Sequence, residues 1–537
     1  MRSFIFEKKH RYISILILVA LFHIINHYLW LKADGLVIHY RYKYQFTRIL
    51  YHYFLTHPSL ENLKLALSQN NFTPPFYPFS VAVLNLLFGL SPRVTMTGNL
   101  IYLIILMFCV YYIGKKIGDS KIGLLAAFIL SMYPVVFKWL REFRIIIALT
   151  ALVALSICFL MYSRNFINRR YSLFLGISMG LGSLINWTFP IFLTGPLIYY
   201  IILIFINKKS SVNPEEPVLY KTGRFFKERA DQIINLSLSL AIAFLITAVW
   251  YLPYASLKSI LNVGFKAQGG GASPFYYILY LAVDQISLFY FFIFLMAIPF
   301  FLKLKSTDKA VLLLWIVGPL SFLFFVSERD PRYVVAFIPA IAIISSMGLL
   351  GLPNLVVRRV LIGIIIVVSF FGFYLFSYRY SVSFGRIFLK SPWGDLYLLS
   401  DELFSGPLGK DEDKLLVDIL EVIRDNSSQI KKPALVRVIT DDRAKSRSFR
   451  YLLNDSLLAC YSYTNGYPLS FNYDPYLTFS FRKGGYFPPL DTGRQESPDF
   501  IITCAGSEEV TVSYPEFLLI KEFSFESGGS LSVLKRR

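Results

Sequence analysis

Residues 74–90 read PPFYPFSVAVLNLLFGL, and whether this run crosses a membrane decides the side on which almost every later loop falls. It is apolar from Phe76 to Leu90, yet shorter than the roughly twenty residues that a helical span requires, and it is entered through Pro74-Pro75. Charge settles its status. If it lies along the outer leaflet, five basic clusters share one side with the N-terminal Arg2, Lys8, Lys9 and Arg11. These are Lys115-Lys116, Arg164/Arg169/Arg170, Lys208-Lys209 with Lys221 to Arg229, Lys303/Lys305/Lys309, and Arg358-Arg359. If it crosses, every one of them moves outside, which the positive-inside rule disfavours.

The composition around this run is that of a polytopic membrane protein. The chain has 537 residues, 55% hydrophobic, 17% aromatic and only 16% charged, with a mean hydropathy of +0.53. Its net charge of +20 sits mostly between apolar runs, as cytoplasmic loops carry it, so no nucleic-acid partner is indicated. Apolar segments near 12–31, 94–114, 121–139, 143–162, 171–188, 189–206, 232–252, 284–303, 310–327, 332–352 and 359–378 predict about eleven spanning helices. The first ends in Asn26-His27-Tyr28-Leu29-Trp30 instead of a small-residue cleavage site, so it reads as an uncleaved span. The turn Asn186 to Pro190 divides one long apolar run in two.

With 76–90 on the outer leaflet, the loop after Trp30, the connection Arg141-Glu142-Phe143-Arg144, the loop 253–283, the segment Glu328 to Arg332 and everything after 378 face outward. Four charged outer segments are thereby expected to meet at one cavity. The predicted organisation is a membrane domain, 1–379, whose outer loop 32–93 carries juxtamembrane helices, and an extracytoplasmic α/β domain, 380–537. In the latter, Asp411 to Ile423 predicts an amphipathic helix, and Ala434 to Thr440, Leu457 to Tyr463, Asp499 to Cys504 and Phe517 to Phe523 predict strands. Turns are expected at Asn465-Gly466 and Gly484-Gly485. Cys460 and Cys504 suit a disulfide or two buried thiols equally.

Several residues could carry chemistry. Asp34, where the first helix emerges, suits a general base that takes a proton from an attacking hydroxyl, or is an ordinary solvated acid. Glu142 lies between Arg141 and Arg144 at the mouth of two helices, either as a local ion-paired cluster or as a site group. Arg329, Arg332 and Tyr333 could hold a phosphate through multi-donor guanidinium groups, or anchor the interface. Asp284 and Gln285 interrupt an apolar stretch and are candidate substrate contacts, or the helix simply begins one turn later; Lys266, of the loop that holds Gly269-Gly270-Gly271, is a further candidate contact, and that loop is a lid or a plain linker. All 6 histidines precede residue 58, and His23 and His27 have the one-turn spacing of metal ligands or of packed imidazoles. A divalent metal is left open.

There is no GxxxxGK[ST] loop and no strand-borne GxGxxG. An outward-facing site has no nucleotide pool, so an activated sugar there must arrive on a lipid. Its leaving group is then a lipid phosphate, stable without protonation, and the site needs one base and several cations. A transporter or flippase of lipid-linked saccharides, or a scaffold whose outer domain binds partners, are the readings from other classes.

At this point the residues resemble a known family, the GT-C class of integral membrane glycosyltransferases, in the branch of protein O-mannosyltransferases and aminoarabinose transferases. Asp34 looks like its catalytic aspartate and Pro74-Pro75-Phe76-Tyr77 like the Pro-Pro-x-Tyr start of a helix on the outer leaflet. Gly114-Lys115-Lys116-Ile117-Gly118, followed by Gly123 to Ala127, is similar to its inner turn. Arg141-Glu142-Phe143-Arg144 is similar to its second outer charged site, and Asp330-Pro331-Arg332-Tyr333 to its late outer motif. Gly35 stands where members often have a second acid, and Thr73 where many have Lys or His.

The resemblance implies inverting transfer of a sugar from a polyprenyl-phosphate donor to a hydroxyl of a lipid, glycan or protein acceptor. Asp34 and Glu142 would be catalytic, and Arg141, Arg144, Arg329, Arg332, Tyr333 and Tyr77 would face the donor. The expected location is the inner (plasma) membrane, with the N-terminus cytoplasmic.

Overall fold

The structure, a computed structural model, describes residues 2–33, 42–68, 74–206, 218–254, 274–303, 308–323, 331–378, 387–391, 394–399, 410–427, 434–439, 469–474, 477–482, 485–487, 499–503, 516–525 and 529–537. Its helices are α1 (Arg2–Ala33), α2 (Tyr42–Thr56), α3 (Leu60–Ser68), α4 (Phe76–Phe88), α5 (Pro92–Ile117), α6 (Ser120–Ser131), α7 (Pro134–Leu140), α8 (Ile146–Tyr162), α9 (Arg169–Ser183), α10 (Phe189–Ile206), α11 (Val218–Tyr254) and α12 (Pro274–Tyr280). A π-turn (Leu281–Gln285) leads into α13 (Ser287–Lys303) and α14 (Lys309–Leu323). A 3-10 helix (Pro331–Phe337) then opens α15 (Ile338–Leu350), and α16 (Leu355–Tyr378) closes the helical part.

Helices occupy each of the eleven predicted places, but they are not eleven uninterrupted spans. Among the described residues 6 helices are long and apolar enough to cross a membrane, or up to 8 if each of two bent pairs is one span. The run 121–139 breaks by 61° between α6 and α7, because Tyr133 is extended before Pro134, which takes the first position of α7. The predicted span 284–303 instead begins with the π-turn and bends by 118°. The helix over 76–88 has 13 residues, about 20 Å at 1.5 Å per residue, too short to cross. The chain is a multi-pass membrane protein.

By internal contacts the chain divides into two units. The first comprises Met1–Trp30, Leu67–Tyr77 and Met96–Gly406. At its centre α15 is buried throughout except at its last residue, whereas α16 is mostly exposed and presents Val356, Val360, Val367 and Phe371 outward. The α5–α6 turn is close: a Cβ on Gly123 would fall 2.2 Å from the Tyr111 carbonyl oxygen, and one on Gly114 2.8 Å from the Cα of Gly123. Only glycine lets the two backbones meet there. Asp119 caps α6, accepting from the amides of Lys121 at 2.8 Å and Ile122 at 2.9 Å. Asn186 Oδ1 accepts from the Thr188 amide at 3.0 Å, building the turn between α9 and α10. An antiparallel hairpin of β1 (Ile387–Ser391) and β2 (Gly394–Leu399) also belongs to this unit.

The second unit comprises Leu31–Ala66, Pro78–Thr95 and Pro407–Arg537. In its first part the buried Arg48 donates to Asn85 Oδ1 at 2.5 Å, and Thr95 Oγ1 donates to the same oxygen at 3.3 Å. Tyr51 meets Phe79 edge to face at 5.6 Å. Its second part is a mixed sheet of β3 (Ala434–Ile439), β4 (Leu469–Asp474), β5 (Leu477–Arg482), β6 (Gly485–Phe487), β7 (Phe500–Thr503), β8 (Phe517–Phe525) and β9 (Gly529–Arg536), with one helix, α17 (Lys410–Asn426). The order is β6-β5-β4-β3-β7-β9-β8; β3 runs parallel to β4 and β7, and the remaining pairs are antiparallel. Ile419, Leu420 and Ile423 of α17 are fully buried, as are Val436, Phe500 and Leu534 of the sheet. The strand expected at Leu457 to Tyr463, the turn at Asn465-Gly466, Cys460 and Cys504 lie outside the described residues.

Candidate functional site

The segment Arg141–Arg144 is a tight reversal between two buried helices. The Arg141 amide donates to the Lys138 carbonyl at 3.2 Å to end α7, and the Arg144 amide donates to the Glu142 carbonyl at 2.8 Å before α8 starts. Phe143 is fully buried and anchors the turn. Arg144 Nε lies 2.5 Å from Glu142 Oε2, with both side chains about five-sixths buried (16% and 17% exposed). The Arg144 guanidinium also covers the Trp139 ring at 4.6 Å.

Arg141 is held on three sides. Its guanidinium stands 5.0 Å from the centre of the Trp30 ring and 5.9 Å from the rings of Phe137 and Phe373. Nη2 donates to Ser377 Oγ at 2.6 Å. A planar cation fixed this way by α1, α7 and α16 has already lost its rotamer freedom, which suits binding an anion without further ordering. His23 and His27, both buried on α1, have no third metal-ligating neighbour: no group of three or more His, Cys, Asp or Glu is gathered among the described residues.

Tyr77 is also fully buried. Its hydroxyl donates to Asn99 Oδ1 at 2.8 Å, and Asn99 Nδ2 donates to the carbonyls of Trp139 at 3.1 Å and Glu142 at 2.5 Å. The Tyr77 ring lies 5.0 Å from that of Phe143. The Pro-Pro-Phe-Tyr segment and the Arg141–Arg144 turn, far apart in sequence, are thus joined through one amide side chain. The sequence reading missed Asn99, although an uncharged polar residue in an apolar span was its signal.

Asp284 and Gln285 lie in the π-turn, closed by the Ile286 amide donating to the Leu281 carbonyl at 3.1 Å. Ser287, just after it, has φ +70, a backbone conformation uncommon for a residue with a side chain. Gln285 is 1% exposed; its Nε2 donates to Asp284 Oδ2 at 2.8 Å, and its Oε1 has no hydrogen-bond partner among the described residues. The π-turn packs against α7, the 3-10 helix and β2, and the 3-10 helix, which holds Arg332 and Tyr333, packs against α8. Trp315 Nε1 donates to the Ala336 carbonyl at 3.1 Å and pins that helix from α14.

Of the residues singled out in the sequence, Tyr77, Arg141, Glu142, Arg144, Asp284, Gln285, Arg332 and Tyr333 therefore stand on elements of one unit that touch in a chain. Asp34, Thr73, Lys266 and Arg329 lie outside the described residues.

Residues 73–219 match the dolichyl-phosphate-mannose-protein mannosyltransferase family. No curated protein matches the chain by sequence. Among solved structures, ArnT from Cupriavidus metallidurans bound to undecaprenyl phosphate is similar over 97% of this chain and 97% of that one, at 12% identity and a TM-score of 0.58. The apo state of the same protein is similar over 98% of both chains, at 11% identity and a TM-score of 0.57. The resemblance read from the motifs is borne out by these matches: the chain carries the GT-C membrane fold.

Proposed function

We propose that this protein is an inverting glycosyltransferase that moves a sugar from a polyprenyl-phosphate donor to an acceptor hydroxyl at the outer face of the cell's inner membrane. The observation that carries the reading is Arg141, fixed by aromatic rings on three sides at the turn where Glu142 and Arg144 pair. A preorganised guanidinium of this kind suits the charge that develops on a departing phosphate. The fold it occupies is shared with the Cupriavidus ArnT, which binds undecaprenyl phosphate.

In this reading Asp34 takes the proton of the acceptor hydroxyl while the oxygen attacks the anomeric carbon. The bond to the lipid phosphate breaks, its electron pair leaves on the phosphate oxygen, and the anomeric configuration inverts. Arg141, Arg144, Arg329, Arg332 and Tyr333 hold that phosphate. Glu142 orients acceptor or sugar, and Asp284, Gln285 and Lys266 contact substrate. Tyr77 acts on the donor side by holding the turn through Asn99. The membrane part, 1–379, does the chemistry, and the α/β domain, 380–537, lies outside the cytoplasm with the acceptor, which is a lipid, glycan or protein.

The test is Asp34→Asn in the full-length protein, purified and supplied with a panel of polyprenyl-phosphate sugars and envelope lipids. Transfer should fall by at least about a thousandfold, the scale of losing a general base together with its charge, with unchanged membrane insertion and thermal unfolding. Full activity in that variant would rule out the base assignment. Lipid movement across vesicles without any sugar transfer would favour a flippase instead.

A further inference from the structure

We propose that a cavity at the far end of the α6–α7 pair from Arg141 binds the phosphate-bearing headgroup of an anionic phospholipid, with the acyl chains lying along α16. The cavity has a volume of about 370 Å³ and is lined by Asp119, Lys121, Leu350, Leu355, Arg358 and Arg359. None of these residues belongs to the candidate transferase site.

Its charge points to an anion. Three cations face one acid, and that acid is already engaged, since Asp119 Oδ1 accepts from two backbone amides at the start of α6. Arg358 Nη1 donates to the Leu350 carbonyl at 3.0 Å, a bond that holds its guanidinium at the cavity wall. Two helices, α6 and α16, begin here, so the positive ends of both dipoles add to the cations. Their first amides are occupied, by Asp119 and by Asn354 Oδ1, which accepts from Val356 at 2.9 Å and Val357 at 3.2 Å. The attraction therefore comes from side-chain charge, and a phosphate is the anion that three such donors fit.

Apolar surface points to a lipid as the source of that phosphate. Leu350 and Leu355 line the cavity, and α16 rises from its edge with Val356, Val360, Ile364, Val367 and Phe371 exposed along its length. Inorganic phosphate would use the cations alone. A phospholipid uses the cations and this apolar face together, the arrangement expected where basic residues collect between spanning helices.

The test is native mass spectrometry of the full-length protein after equilibration with an equimolar mixture of phosphatidylglycerol and phosphatidylcholine. The wild type should retain phosphatidylglycerol preferentially. Lys121→Gln and Arg359→Gln, both at exposed positions, should each lower that retention by about fivefold, the scale of one cation at an anionic surface. Arg170→Gln removes an exposed charge outside the cavity and should leave retention unchanged. Equal retention in the double variant Lys121→Gln/Arg359→Gln, an equal loss in Arg170→Gln, or no preference over phosphatidylcholine would overturn the proposal. Displacement of the lipid by millimolar inorganic phosphate would overturn the lipid as the source.

Discussion

Asn99, two turns into α5, donates to the carbonyl oxygen of Glu142 at 2.5 Å, so a spanning helix fixes the backbone of a charged turn more than forty positions later. The same amide reaches the Trp139 carbonyl, and its oxygen accepts from Tyr77. No charged group takes part in this bridge, and every partner is buried or part-buried.

Asn99→Leu should therefore do two separable things. It leaves two carbonyls and the Tyr77 hydroxyl without this partner, at about 1–3 kcal/mol for each group that stays buried and unpaired. It also frees the turn that presents Arg141, Glu142 and Arg144, and a displacement near 1 Å costs on the order of a hundredfold in rate. Thermal unfolding and transfer assays on Asn99→Leu and Tyr77→Phe check this. Tyr77→Phe, which removes one bond and keeps the ring against Phe143, should show the smaller loss of both; the reverse order would break the positioning argument.

Gly123→Ala should destabilise without touching the candidate site. The added methyl would lie 2.2 Å from the Tyr111 oxygen and 3.1 Å from the Lys115 nitrogen, both backbone atoms of α5 that cannot rotate away. The helices must part, at about 1–3 kcal/mol for overpacking. A lower unfolding temperature in detergent, with any residual folded protein retaining its activity per molecule, is the expected result.

The sequence revealed the helical places and the short helix over 76–88, because hydropathy and charge asymmetry are local signals, and the family resemblance marked the glycine-bearing turn between α5 and α6. It also marked α17, β3, β7 and β8 to within a few residues. What it did not reveal depends on tertiary partners. The run 121–139 reads as one span until Tyr133 adopts an extended backbone before Pro134. The π-turn has no composition of its own, and Asp284-Gln285 read as a helix start. Strands β4 and β5, by contrast, alternate apolar and polar residues without a break and could have been read from the sequence, whereas β9 breaks its alternation at Val533-Leu534 and its pairing is what makes it a strand. Arg141 was legible as a charge, whereas its enclosure by Trp30, Phe137 and Phe373 was not, since those rings come from three helices.

His52 gives the α2 region a pH dependence of known sign. Burial first, then the cations at Arg48 and His57, lower its pKa from the ordinary 6.5. The unfolded chain therefore takes up a proton near pH 6.5 that the folded protein still refuses, and stability falls as the pH drops through that range. His52→Gln should flatten this part of the profile, measured as the change in unfolding temperature between pH 7 and pH 5. A wild-type and variant pair with parallel profiles would remove His52 from the account.

Gln285 separates stability from function. Its Oε1 is buried without a hydrogen-bond partner among the described residues, beside the strained Ser287, and an unpaired buried acceptor costs about 1–3 kcal/mol. Gln285→Leu removes that oxygen but also the hydrogen bond that the side-chain amide donates to Asp284 Oδ2, two effects of similar size and opposite sign, so the variant should unfold close to the wild-type temperature. If the oxygen accepts from a substrate hydroxyl, as its place between α7 and the 3-10 helix suggests, transfer should fall at least about tenfold, the loss for a site group whose partner has gone. A loss of transfer without a matching loss of stability is what a substrate contact shows. A Gln285→Leu variant with undiminished transfer would make the π-turn a structural bend and remove Gln285 from the substrate contacts.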